Sequence, residues 1–135
     1  MTVLTISLKD DPEIVETYRR YHREVWPEVQ ASLERVGVER MDIHLLGRRL
    51  VMLVEMRDGL DYRTAFRAHA ASSPRVVEWE RLMKSLQEPV SDAAPGEWWA
   101  VMEPVFRLER GIAAPEPNVT QEPAVASIAD RARTS

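Results

Sequence analysis

The sequence predicts an α+β domain built in the order β-α-β-β-α-β. Three observations carry this reading: apolar alternation at the start and middle of the chain, two cap-plus-proline helix starts, and a short glycine-arginine link that reads as a hairpin. At 135 residues the chain is one domain with room for a substantial core.

Taken in order, "TVLTISL" alternates Leu4, Ile6 and Leu8 with Thr5 and Ser7, a half-buried first strand. Asp11 can cap the helix that follows, Pro12 suits its first position, and Glu13 complements its dipole. Pro27 cannot sit in a helix interior, so Trp26-Pro27 ends one segment and opens another, which runs to Gly37. "MDIHLL" alternates again, while "LVMLVEM" is almost continuously apolar, as expected for a strand covered on both faces. "GRR" joins the two as a hairpin, and one or two helices follow, with Ser73-Pro74 as the second cap-plus-proline start. "AVMEPVFRL" reads as the closing strand, and Pro104 assigns it to a sheet edge.

This is the ferredoxin-like order, with the third strand central and the fourth at an edge. Such a sheet carries helices on one face; by analogy with that fold, dimerisation is expected to cover the other. From Gly111 to Ser135 aromatic residues vanish and Pro, Ala, Ser and Thr dominate. The folded unit is therefore expected at 1–110, and 111–135 as a disordered tail with too little apolar surface to offset chain entropy.

Composition excludes several classes. A net charge of −4 speaks against nucleic acid or an anionic membrane as partner, since both demand clustered basic surface. No apolar run approaches the roughly 20 residues of a membrane span. The absence of cysteine removes disulfides and thiolate chemistry. The expected setting is cytoplasmic.

The chain has three histidines. Ile14, Tyr18, His22 and Val25 follow one helical face, so Tyr18 and His22 are neighbours on the inward side while Arg19, Arg20 and Arg23 turn away. Taken alone, His22 reads either as a core imidazole satisfied by one hydrogen bond or as a proton carrier. It has no second ligand at helical spacing, which makes a zinc site the weaker reading. His44 lies on the polar face of its strand, and His69 follows Phe66 at i+3; both read as structural. Trp79 falls on a stripe with Val76, Leu82, Met83 and Leu86, the pattern of a packed helix face. Glu80 precedes Lys84 at i+4 and reads as half of a solvated ion pair. Trp98 and Trp99 follow the Pro95-Gly96 turn. Four tryptophans in so small a domain suggest apolar walls, which suit the C–H faces of a sugar.

The pattern "YRRYHREVWPEV…L…G" at 18–37, with "IHLLGRRLVMLVEM", "VVEWERLM" and the closing "PVFRL", resembles the L-rhamnose mutarotase family, which includes L-fucose mutarotases. The resemblance spans residues 1–109. It implies a ferredoxin-like domain that forms a dimeric α/β barrel and interconverts the α and β anomers of a 6-deoxyhexose, without metal or organic cofactor. By the same resemblance His22 is the acid/base residue, Tyr18 bonds a sugar oxygen or relays a proton, and Trp79 forms a pocket wall. Trp26, Met41, Trp98 and Trp99 complete the candidate sugar-binding set. Rhamnose-type members carry tyrosine where this chain has Met41, and two tryptophans where it has Trp79-Glu80. These departures favour L-fucose over L-rhamnose. Two other classes fit the same barrel: a small cofactor-independent monooxygenase and a non-enzymatic ligand-binding domain.

Overall fold

The computed structural model describes residues 1–110. The expected tail, 111–135, lies outside the described residues. One unit spans Met1–Glu103; Pro104 begins a second, which holds no helix or strand over its described residues 104–110.

The first unit begins with β1 (Thr2–Leu8), followed by α1 (Pro12–Arg23) and α2 (Pro27–Arg35). The hairpin β2 (Val38–Leu46) and β3 (Arg49–Met56) comes next, then α3 (Tyr62–Ala70) and α4 (Pro74–Leu86). Two short strands, β4 (Gln87–Glu88) and β5 (Ala100–Val101), close the sheet. The strand order is β2-β3-β1-β4, with β5 also on β1, and every pairing is antiparallel. β3 is central, as the ferredoxin-like order requires.

Local chemistry sets the helix ends. The Asp11 carboxylate accepts from Glu13 N at 2.9 Å, and Pro12 opens α1 at a position where a missing N–H costs nothing. Pro27 opens α2 in the same way, so the Trp26-Pro27 break lies where the sequence predicts it. Ser73 Oγ accepts from Val76 N and Pro74 begins α4. The hairpin pairs Leu46 with Arg49 around Gly47-Arg48, with Gly47 at φ +63°.

The closing strand differs from expectation. Only Ala100 and Val101 of "AVMEPVFRL" pair with β1, opposite Thr5 and Leu4, and Met102 N adds one bond to Val3 O. The chain leaving α4 reaches the β1 edge first, and Gln87–Glu88 occupies Leu8 and Ser7. With Ala100 opposite Thr5, the antiparallel register reaches the start of β1 at Thr2 within a few residues, and Pro104 has no N–H to continue a ladder.

The core lies between the sheet and the helices. Leu4, Ile6, Leu8, Leu50, Met52 and Val54 point to the helical side and are buried. Ile6, Leu8 and Leu50 meet Tyr18 of α1, Val29 of α2, and Val76, Trp79, Met83 and Leu86 of α4, while Leu4, Met52 and Val54 pack with Tyr62 and Phe66 of α3 and with Trp99. Val51 and Leu53, on the other face of β3, are half-buried in the single chain, so the expected two-sided cover is complete on the helical side only.

Gly37 ends α2 and turns into β2 at φ +105°, where L-residues are strained. A Cβ there would also strike the Leu60 side chain, which is partly exposed and can move aside. The backbone penalty therefore dominates. Gly37→Ala is expected to destabilise the fold by about 1–2 kcal/mol. Urea denaturation checks this, and a midpoint equal to wild type contradicts it.

Candidate active site

A cavity of about 530 Å³ opens between the helices and the helical face of the sheet. That size suits a small organic molecule. α1 delivers Tyr18 and His22 to it, as their i, i+4 spacing requires, and the two rings stack with centroids 4.1 Å apart. Trp79 of α4 is buried beside them, its ring 5.4 Å from the His22 ring.

The tautomer of His22 follows from its hydrogen bond. Nδ1 lies 2.9 Å from the Tyr18 carbonyl oxygen, which can only accept, so Nδ1 carries the proton and donates. Nε2 is then the basic ring nitrogen. Burial pushes the pKa of His22 below the ordinary histidine value of 6.5, partly opposed by that carbonyl. The imidazole is therefore neutral near pH 7, with its lone pair on Nε2.

Tyr18 is tuned the opposite way. Burial pushes its phenol well above the ordinary value of 10; the Gln87 side chain opposes this, and the nearby Glu80 carboxylate reinforces it. Tyr18 thus stays protonated, a donor rather than a base. Gln87 also accepts from Trp98 Nε1 at 2.9 Å, which ties the 89–99 loop to the base of α4.

The cavity gathers most of the residues singled out in the sequence. Tyr18, His22, Met41, Trp79, Trp98 and Trp99 all line it. Trp26 does not: it packs edge-on behind Trp79 at 5.1 Å, with the Arg75 guanidinium 3.6 Å over its ring. Its geometry supports Trp79 instead of facing a ligand. Trp98 and Trp99 are both half-buried and both reach the cavity.

Two cavity residues depart from their sequence-based expectations. Glu80 forms no ion pair with Lys84 among the described residues; its carboxylate lies 3.7 Å from His69 Nε2. Lys84 instead lies 6.0 Å from the Trp98 ring. His69 is buried, and its Nδ1 sits 2.8 Å from Ser32 Oγ, which is 2.9 Å from Ser72 Oγ. Helical spacing cannot reveal this chain, because its members come from α2, α3, the turn after α3, and α4. His44 is exposed on β2, as its polar-face position implies. Among the described residues no group of three His, Asp or Glu side chains converges as a metal-ligand set.

Residues 2–108 match the family described as L-rhamnose mutarotase. The chain belongs to the L-rhamnose mutarotase family. Mutarotases of this family are isomerases acting on sugars. An L-fucose mutarotase of Xanthomonas campestris pv. campestris is 40% identical over 110 residues, covering 79% of this chain and 86% of that protein. An L-rhamnose mutarotase of Burkholderia orbicola is 27% identical over 109 residues, covering 81% of this chain and all of that protein (100%). Among solved structures, the L-rhamnose mutarotase FA22100 of Formosa agariphila superposes with a TM-score of 0.57 at 18% identity, covering 80% of this chain and 97% of its own. At that identity the likeness speaks for a shared fold, and the mutarotase family fold is the one described above.

Proposed function

We propose that this mutarotase interconverts the α and β anomers of a 6-deoxyhexose, L-fucose in preference to L-rhamnose, with His22 as the proton carrier. The observation that carries the reading is the His22–Tyr18 carbonyl bond. It holds a neutral imidazole in one tautomer and leaves Nε2 as the base on an aromatic-walled cavity.

The chemistry follows. Nε2 takes the anomeric hydroxyl proton, the C1–O5 bond breaks to give the open-chain aldehyde, and the ring oxygen receives a proton. Rotation about C1–C2 and closure on the other carbonyl face reverse these transfers. Tyr18, kept protonated by burial, stacks on the imidazole and supplies a hydroxyl to the cavity wall. Trp79, Trp98 and Trp99 offer ring faces and edges to the sugar's C–H groups. Met41 in the wall, together with the higher identity to the L-fucose relative, supports L-fucose.

The working form proposed is a homodimer joined through the half-buried sheet face that carries Val51 and Leu53. The proposed location is the cytoplasm; no helix among the described residues is long and apolar enough to cross a membrane.

Exchange NMR on L-fucose, L-rhamnose and D-galactose tests the function. Added protein is expected to accelerate anomer exchange, most for L-fucose; no acceleration on any of the three sinks the reading. The pH profile sharpens it. Since the pKa of His22 is lowered, its base form persists on acidification, and the rate is expected to fall only below pH 6.5. Tyr18, pushed upward, contributes no alkaline loss up to pH 10. A midpoint above 6.5 on the acid side contradicts this assignment.

A further inference from the structure

Ring opening needs an acid for the ring oxygen as well as a base for the anomeric hydroxyl, and the cavity holds a proton-bearing pair beyond His22 and the Tyr18 hydroxyl. Hydrogen counting along the buried chain identifies it. Ser72 Oγ donates to the His69 carbonyl at 2.7 Å, which uses its only hydrogen. Ser72 must therefore accept from Ser32, 2.9 Å away, and this uses the only hydrogen of Ser32. Ser32 must in turn accept from His69 Nδ1 at 2.8 Å. Nδ1 of His69 is thus always protonated, and the neutral ring keeps its lone pair on Nε2.

That lone pair faces Glu80 Oε2 at 3.7 Å. A bare ring nitrogen and an ionised carboxylate are both acceptors, and they attract one another only when one of them carries a proton. His69 is buried, its side chain only 6% exposed, while that of Glu80 is 35% exposed and reaches the cavity. Both line the cavity; the imidazole is held by the serines, and the carboxyl is the more exposed of the two.

We propose that Glu80, backed by His69, is a further catalytic residue of the anomerisation, the acid that protonates the ring oxygen while His22 Nε2 removes the anomeric proton. This deepens the proposed function and rests on it. In the opening step the O1–H bond breaks as N–H forms on His22. The C1–O1 bond becomes a carbonyl, C1–O5 breaks, and O5 takes the proton of the Glu80–His69 pair. Closure on the opposite face returns the O5 proton to that pair and the His22 proton to O1, so the enzyme ends as it began. Glu80 is the group that touches sugar, and His69 is a positioning residue that stores or supplies the proton behind it. Both imidazoles carry a proton on Nδ1, and they take opposite roles because only the Nε2 of His69 faces a carboxyl.

Glu80→Gln tests this, since the amide keeps the shape and hydrogen-bonding capacity but cannot cycle a proton. Exchange NMR at saturating L-fucose is expected to show a fall of about 10²-fold or more in rate, with saturation-transfer NMR still reporting bound sugar. A second readout is independent of turnover: long-range ¹H–¹⁵N spectra of the free protein should show neutral His69 as the Nδ1–H tautomer.

His69→Gln is expected to lower the rate less than Glu80→Gln does, with saturation-transfer NMR still reporting bound sugar. If wild type accelerates exchange and Glu80→Gln matches it in rate, this inference is overturned while the mutarotase reading stands. An Nε2–H tautomer of His69 overturns it equally. If wild type itself is inactive on all three sugars, the underlying reading fails first.

Discussion

His22→Ala lowers the catalysed rate of anomer exchange by about 10²- to 10⁴-fold, the range that a positioned proton carrier contributes. The substitution removes the one base whose tautomer and ionisation are both set for the task. Its Nδ1 is committed to the Tyr18 carbonyl, and burial keeps its charged form disfavoured. The helix itself should tolerate the change, because alanine is the best helix former and His22 lies in the last turn of α1. The stacked contact with Tyr18 is lost, but the Tyr18 carbonyl retains its place in the helix. A rate unchanged in the folded variant, measured by exchange NMR with circular dichroism as the control, would remove His22 from the mechanism. His22→Gln should be equally slow, since it preserves a hydrogen-bond donor without a titratable one.

The largest effect on stability is expected at Trp79. Its side chain is buried and meets Trp26, His22 and Tyr21 in edge-on contacts at 5.1, 5.4 and 6.0 Å. Trp79→Ala removes the largest member of the α4 stripe and leaves a void beside the cavity. Such truncations cost about 3–5 kcal/mol, a large share of the 5–15 kcal/mol typical of a domain. Urea unfolding of the variant should show the loss, and a cost below about 1 kcal/mol would mean that the aromatic cluster is not a structural centre. Trp79→Phe separates fold from site. It should recover most of the stability through retained ring packing, while anomer exchange on L-fucose remains slower than wild type because the cavity wall is smaller.

Much of this architecture is legible residue by residue. Asp11-Pro12, Trp26-Pro27 and Ser73-Pro74 mark helix starts because proline at a first helical position is both allowed and preorganised, and all three are borne out. The i, i+4 spacing of Tyr18 and His22 is enough to put their rings on one helical face. The closing strand departs from its sequence pattern for a non-local reason. Its residues have strand character, but pairing depends on where they meet β1, and the register that sets Ala100 opposite Thr5 leaves only the first residues of β1 beyond it. Trp26 neighbours His22 along the chain, which suggests a place in the sugar-binding set; packing instead directs it behind Trp79.

Glu80 shows the limit most clearly. From sequence its i+4 neighbour Lys84 is the natural partner, since that distance is short on any helix. Tertiary packing brings up His69 from the preceding helix, buried and already anchored by Ser32, and this histidine becomes the carboxylate's neighbour.

The helix starts, the hairpin, the central strand and the shared face of Tyr18 and His22 are written in local residue patterns, because each depends on residues a few positions apart. Which tryptophans wall the cavity, which edge segments complete the sheet, and that Glu80 meets His69 emerge only when the elements pack together. Those outcomes depend on contacts between elements far apart in the chain, where packing and hydrogen counting, rather than spacing, select the partner.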